Sequence, residues 1–250
     1  MQYKTGNPGL NERIFSRFSR PVAADERMTL QGTVNKSFLL LVVLMAAALW
    51  TWVQFFQSGG NPATVSLPMA IGFIGGFIVA LIISFKPHLA PSLAIPYAAL
   101  EGLALGGLSA IFQQRYAGLP IQAVAITFAV AIALLLAYTS RLIRVTDRMR
   151  AMVFAATGAI CLLYLAAWVL SLFHVNVGLL YGSSSLSLGL SLVIIGVAAM
   201  NLVMDFNFIE TGIQQGAPRY MEWYCAFGLM ITLVWLYTEI LRFLANARNR

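Results

Sequence analysis

The chain has 250 residues, of which 60% are hydrophobic and 10% charged, and its formal net charge is +7. A soluble domain carries roughly 25% charged residues, so this chain lacks the polar surface to coat a water-soluble globule, and a soluble enzyme is excluded as its class. The basic residues are scattered through short loops and tails rather than massed on one face, so the charge reads as membrane topology, and no nucleic-acid partner is expected.

In chain order, the first 35 residues carry Lys4, Arg13, Arg17, Arg20 and Arg27 ahead of an apolar run that Lys36 opens. That run, 37–57, is long and ends in Trp50, Trp52, Phe55 and Phe56 rather than at a small-residue cleavage site, so it reads as a retained first span and not as a signal peptide. Six further apolar runs follow at 66–85, 91–113, 120–140, 150–173, 184–207 and 220–243. A hydrocarbon core of about 30 Å needs roughly 20 apolar residues per helix, and backbone groups inside it must be satisfied within the segment. The expected fold is therefore an all-α membrane protein, a seven-transmembrane helix bundle over 36–245, with tails at 1–35 and 246–250. Pro87, Pro91 and Pro96 bend the chain where the third span begins.

Cytoplasmic loops retain Lys and Arg. With the N-terminus inside, the inner side collects the six N-terminal cations, Lys86, Arg141, Arg144, Arg148, Arg150 and Arg219, leaving Arg115, Arg242, Arg248 and Arg250 outside. The expectation is a multi-pass protein of the cytoplasmic (inner) membrane, N-terminus inside and C-terminus outside. Gly72, Gly75 and Gly76, Gly102, Gly106 and Gly107, and Gly189 and Gly196 are expected to let helices two, three and six pack closely. Cys161 and Cys225 lie in separate spans and are expected to be buried small hydrophobes, without disulfide or metal.

Five acids lie in or near spans, where an unpaired carboxylate costs from about 2.5 kcal/mol upward. Glu101 falls near the middle of the third span. Asp205 and Glu210 close the sixth, spaced so that both could face one inner vestibule. Glu222 opens the seventh, and Glu239 lies about 25 Å further along that helix, three residues before Arg242, its local ion-pair candidate. For Asp205 the dull alternative is an interfacial carboxylate that pairs with Lys86 or a loop arginine and fixes helix ends.

Catalysis is not expected. The only histidines, His88 and His174, fall in loops on opposite sides of the membrane, and no hydrolase, nucleotide-binding or zinc-protease motif occurs. Span seven holds no lysine for a Schiff base, and Asp205 is the only aspartate in any span, so an aspartyl dyad cannot form. No organic cofactor is implied.

Asp205-Phe206-Asn207-Phe208-Ile209 resembles the Asp-x-Asn-x-Ile pattern that ends the sixth span in bacterial members of the Bax inhibitor-1 (transmembrane Bax inhibitor motif) family, and Ile240-Leu241-Arg242-Phe243-Leu244 is similar to the ending of their last span. Asn7-Pro8-Gly9-Leu10-Asn11-Glu12, Tyr97 to Gly107 and Met221-Glu222-Trp223-Tyr224 resemble one prokaryotic branch. The resemblance implies a pH-sensitive calcium-leak protein, closed from the cytoplasmic side by paired acids on spans six and seven. Asp205 matches the first acid and, as a carboxylate, the metal-facing position, with calcium as the transported or bound ion. Thr232 stands where the partner aspartate is expected, so the partner role passes to Glu239, Glu222 or Glu101, with Lys86 as the basic latch. Three readings remain: a carboxylate-gated cation path; a non-conducting regulator that binds other membrane proteins; and a proton-coupled transporter using Glu101 and Asp205.

Overall fold

The computed structural model describes residues 26–173 and 184–249. Lys4, Asn7 to Glu12, Arg13, Arg17, Arg20, His174 and Arg250 lie outside the described residues. Seven long helices follow in order: α1 (Leu30–Gln57), α2 (Pro62–Phe85), α3 (Ala90–Arg115), α4 (Leu119–Thr139), α5 (Asp147–Leu172), α6 (Ser185–Gln214) and α7 (Met221–Arg248). Each is long and apolar enough to cross a membrane, so the all-α, seven-span class stands.

Two boundaries differ from the sequence expectation in ways that matter later. Thr29 accepts a hydrogen bond from the Gly32 amide and caps α1. The helix therefore starts at Leu30, so the polar Gln31 and Asn35 ride on it rather than in a tail, and Lys36 follows on the same helix. At the other end, α6 continues past residue 207 to Gln214, so Asp205 and Glu210 share a helix. A short 3-10 turn, Pro87–Leu89, joins α2 to α3; the prolines at 87 and 91 fall at helix starts, where a missing N–H is harmless, and Pro96 lies inside α3.

The described residues divide into two compact units, one of 26–120 and 208–231 and the other of 121–173, 184–207 and 232–249. In the first, α3 is the central element: half of its apolar window is buried, against 22% for α1 and 17% for α2. Its burial comes from glycine. A Cβ on Gly106 would lie 2.7 Å from the Ala48 Cα, and one on Gly102 would lie 2.7 Å from the Ala47 Cβ, so α1 and α3 meet nearly backbone to backbone. On the other side, a Cβ on Gly72 would lie 2.5 Å from the Leu100 carbonyl oxygen and bring α2 into the same contact. Such close approach supplies dispersion where lipid removes any hydrophobic drive. Phe38 on α1 and Phe77 and Phe85 on α2 are turned outward, as lipid contact permits.

In the second unit, Ser187, Ser191, Ile194, Ala198 and Leu202 are buried, a three-and-four spacing that marks one face of α6. The glycines of this helix do not take part: a Cβ on Gly189 or Gly196 would meet nothing within 4 Å. The expectation of glycine-mediated packing is thus corrected for α6, because its glycines fall off the buried face. A second correction concerns Cys161, which is exposed, whereas Cys225 is buried; both thiols are free.

Gly106→Ala should destabilise the protein by about 1–3 kcal/mol, since Ala48 presents backbone that cannot yield. Gly189→Ala should be neutral or stabilising by up to about 1 kcal/mol. Thermal unfolding in detergent measures both, and equal effects would contradict the packing described.

Candidate functional site

The candidate site residues are carboxylates that the spanning helices carry out of water. In the unit of 121–173, 184–207 and 232–249, Asp205 lies on α6 and its carboxylate accepts a hydrogen bond from the Thr232 hydroxyl of α7. Its Oδ2 is buried and has no hydrogen-bond partner among the described residues. Thr232 is the position where the family resemblance expects an aspartate, so the resemblance finds the partner position and the sequence supplies a hydroxyl there.

Asn207, two residues on, points elsewhere because two helical residues are about 200° apart. Arg150 of α5 donates to its Oδ1 at 2.6 Å, and its Nδ2 donates to the Tyr138 hydroxyl of α4 at 3.3 Å. Asn201, one turn before Asp205, donates to Thr157 Oγ1 of α5 at 2.7 Å. The motif therefore divides its labour: Asn207 and Asn201 tie α6 to α4 and α5, and Asp205 meets α7.

Glu239 occupies the same unit. The Tyr164 hydroxyl of α5 donates to its Oε1 at 2.5 Å, Arg242 pairs with its Oε2, and Trp235 also hydrogen-bonds it. The Arg242 guanidinium lies 5.1 Å from the centroid of the Tyr164 ring. The local pair read from the three-residue spacing is present, with an aromatic hydroxyl as a further member. Thr232 and Glu239 are seven residues apart on α7, about 10 Å along one face.

The unit of 26–120 and 208–231 holds the other acids. Glu101 lies in the interior of α3 and accepts from the Tyr97 hydroxyl, one turn earlier, at 2.9 Å. A Cβ on Gly76 of α2 would lie 3.5 Å from Glu101 Oε1, so the glycine leaves this carboxylate room. Glu222 is 1% exposed in the first turn of α7. Its Oε1 accepts from Thr29 N at 2.8 Å and Thr29 Oγ1 at 2.9 Å, and its Oε2 is paired with Lys36. Gly32 of α1 lies so close to this carboxylate that no side chain would fit. Glu222 thus fastens the start of α1 to the start of α7, a structural duty that explains its burial.

Glu210 accepts from Gln214 Nε2 at 3.4 Å. Lys86 is exposed just beyond α2 and pairs with no acid of its own unit among the described residues. No group of three or more His, Cys, Asp or Glu gathers among the described residues. Lys36, Thr29, Tyr164 and Thr157 were not singled out from the sequence. Their partners lie 186, 193, 75 and 44 residues away, and helical periodicity says which face a residue takes but not which helix that face meets.

No curated protein and no solved structure matches the chain. A family described as Bax inhibitor 1 like matches residues 7–249. That match takes in all seven helices, the Asp205 to Ile209 motif and the Arg242 turn of α7, and the chain belongs to the Bax inhibitor 1 like family.

Proposed function

We propose that this protein is a cation leak pathway, calcium being the first candidate ion, controlled at Asp205 and sensitive to pH. The observation that carries the reading is the buried, unpartnered Oδ2 of Asp205 beside the Thr232 hydroxyl. Leaving a buried acceptor unsatisfied costs about 1–3 kcal/mol, more for a charged group, so a carboxylate kept this way has a use for its free oxygen. Carrying or shedding a proton at that oxygen changes the charge a cation meets, which gives the pathway its pH response.

Calcium takes six to eight oxygen ligands when it is held tightly. One carboxylate and a hydroxyl make a weak station, and weak stations suit passage better than storage. The distribution of Lys and Arg supports an N-terminus in the cytoplasm and a C-terminus outside, in a cytoplasmic membrane. Under this reading the protein is not an enzyme and carries no organic cofactor. Lys86 serves as a basic latch, and Glu239 as a second acid in the unit of Asp205.

Proton coupling is a second reading, favoured by Glu101: a carboxylate inside α3 that accepts a hydrogen bond from the Tyr97 hydroxyl is suited to bind and release a proton. Regulation of another membrane protein without conduction is the third, and it predicts no flux.

Proteoliposomes containing the intact chain should leak calcium faster than empty vesicles, at a rate that changes between pH 6 and 8, and Asp205→Asn should abolish that pH dependence. Flux equal to empty vesicles for both proteins would remove the leak reading. Substrate-driven proton uptake that is lost in Glu101→Gln, with calcium flux absent, would replace it by the coupled transporter.

A further inference from the structure

We propose that the route to Asp205 has a second constriction toward the C-terminal end of α7, formed by Glu239, Arg242 and Tyr164, and that Arg242 restrains divalent cations there more than monovalent ones. This role rests on the leak reading and adds to it the residue that grades ions by charge. Thr232, Trp235, Glu239, Arg242 and Asn246 recur on α7 at intervals of three and four residues, so they share one face of the helix. A face turned to lipid would be apolar. Here Thr232, Glu239 and Asn246 are all buried, and Thr232 meets Asp205. The face is a polar seam within the unit that holds Asp205, and from Thr232 it rises about 10 Å to Glu239, about 15 Å to Arg242 and about 21 Å to Asn246.

The hydrogen bonds of this seam do not close on themselves. Glu239 already has three side chains on its carboxylate: the Tyr164 hydroxyl donates to Oε1, Arg242 pairs with Oε2, and Trp235 adds a further bond. Yet Arg242 Nε and Asn246 Nδ2, one turn apart on the same face, are buried without a hydrogen-bond partner among the described residues. An unmet buried donor is costly, and buried polar groups are commonly met by internal water. Two such donors on one face mark a seam that water enters, and the pair that locks α5 to α7 therefore also lines that seam.

Charge decides what the constriction does. The guanidinium lies over the Tyr164 ring, 5.1 Å from its centroid, which holds it at the seam. The work of bringing an ion up to a fixed charge scales with the charge of the ion. A calcium ion at Arg242 meets twice the repulsion that a potassium ion meets, and Glu239 offsets it in both cases. Arginine keeps its proton at any working pH, so this barrier is permanent and separate from the protonation response of Asp205. Without the guanidinium, Glu239 becomes an acid open to the passing ion, and the preference turns toward the divalent cation.

Calcium and potassium fluxes through proteoliposomes of the full chain, measured side by side, test this. Arg242→Gln should raise the calcium-to-potassium flux ratio about threefold or more and leave the pH dependence in place, whereas Arg242→Lys, which keeps the charge, should leave the ratio near that of the intact chain. A pair that only holds helices together would change both fluxes in proportion. An unchanged ratio in Arg242→Gln would thus overturn the constriction while the leak reading stands. Should Arg242→Gln not fold, Asn246→Asp sets a carboxylate of the same size one turn from Arg242 and should raise the ratio too; no rise would count against the constriction. If the intact chain passes neither ion, the leak reading fails by itself and Thr232→Cys decides, in a chain with Cys161 and Cys225 replaced by alanine. Adding Arg242→Gln should then raise its preference for a cationic over an anionic thiosulfonate, and an unchanged preference, or no reaction, would overturn the constriction.

Discussion

A carboxylate among lipid-embedded helices has no water to fall back on, and each acid of this protein answers that constraint in a different way. Glu222 has the fullest answer, with a lysine and two donors from Thr29. Glu239 has an arginine, a tyrosine and a tryptophan. Glu101 has a tyrosine hydroxyl. Asp205 has a threonine hydroxyl on its carboxylate and an oxygen with no partner among the described residues. A buried ion pair is a poor stabiliser compared with apolar packing, yet removing one partner is strongly destabilising. The first two acids therefore lock helices together, whereas Glu101 and Asp205 are met by hydroxyl groups.

The packing makes these differences possible. Glycines at 72, 102 and 106 draw α1, α2 and α3 into backbone contact, which leaves a tight interior where no long cationic side chain need accompany Glu101. In the other unit, amide side chains do the fastening: Asn207 engages Arg150 and Tyr138, and Asn201 engages Thr157. With α4, α5 and α6 tied through Asn201 and Asn207, Asp205 meets Thr232 of α7. The interfacial reading of Asp205, as a mere helix-end carboxylate, fits poorly with an oxygen that is buried and unpartnered.

Much of this was legible in the residues. Composition and run length give the seven spans, the three-residue spacing gives the Glu239–Arg242 pair, and the family resemblance gives Thr232 as the residue opposite Asp205. What was hidden depends on contacts between distant helices. Lys36 reads from the sequence only as one of six N-terminal cations, because its partner Glu222 lies 186 residues away. Tyr164 is one of three aromatics on α5, with Phe154 and Trp168, and nothing in its spacing names Glu239 as its partner. Gly189 and Gly196 looked like packing residues because composition does not reveal that they miss the buried face. Arg27 and Pro218 meet through an isolated bridge that no periodicity foretells.

The central claim is that water and small cations reach Asp205 inside its unit. Cysteine accessibility at its hydrogen-bond partner tests this most directly: Thr232→Cys, in a chain with Cys161 and Cys225 replaced by alanine, should react with a small membrane-impermeant cationic thiosulfonate far faster than Phe77→Cys, whose native side chain is 64% exposed and lipid-facing. Reaction no faster than at the lipid-facing position would mean that no hydrated route leads to Asp205, and the account would fail.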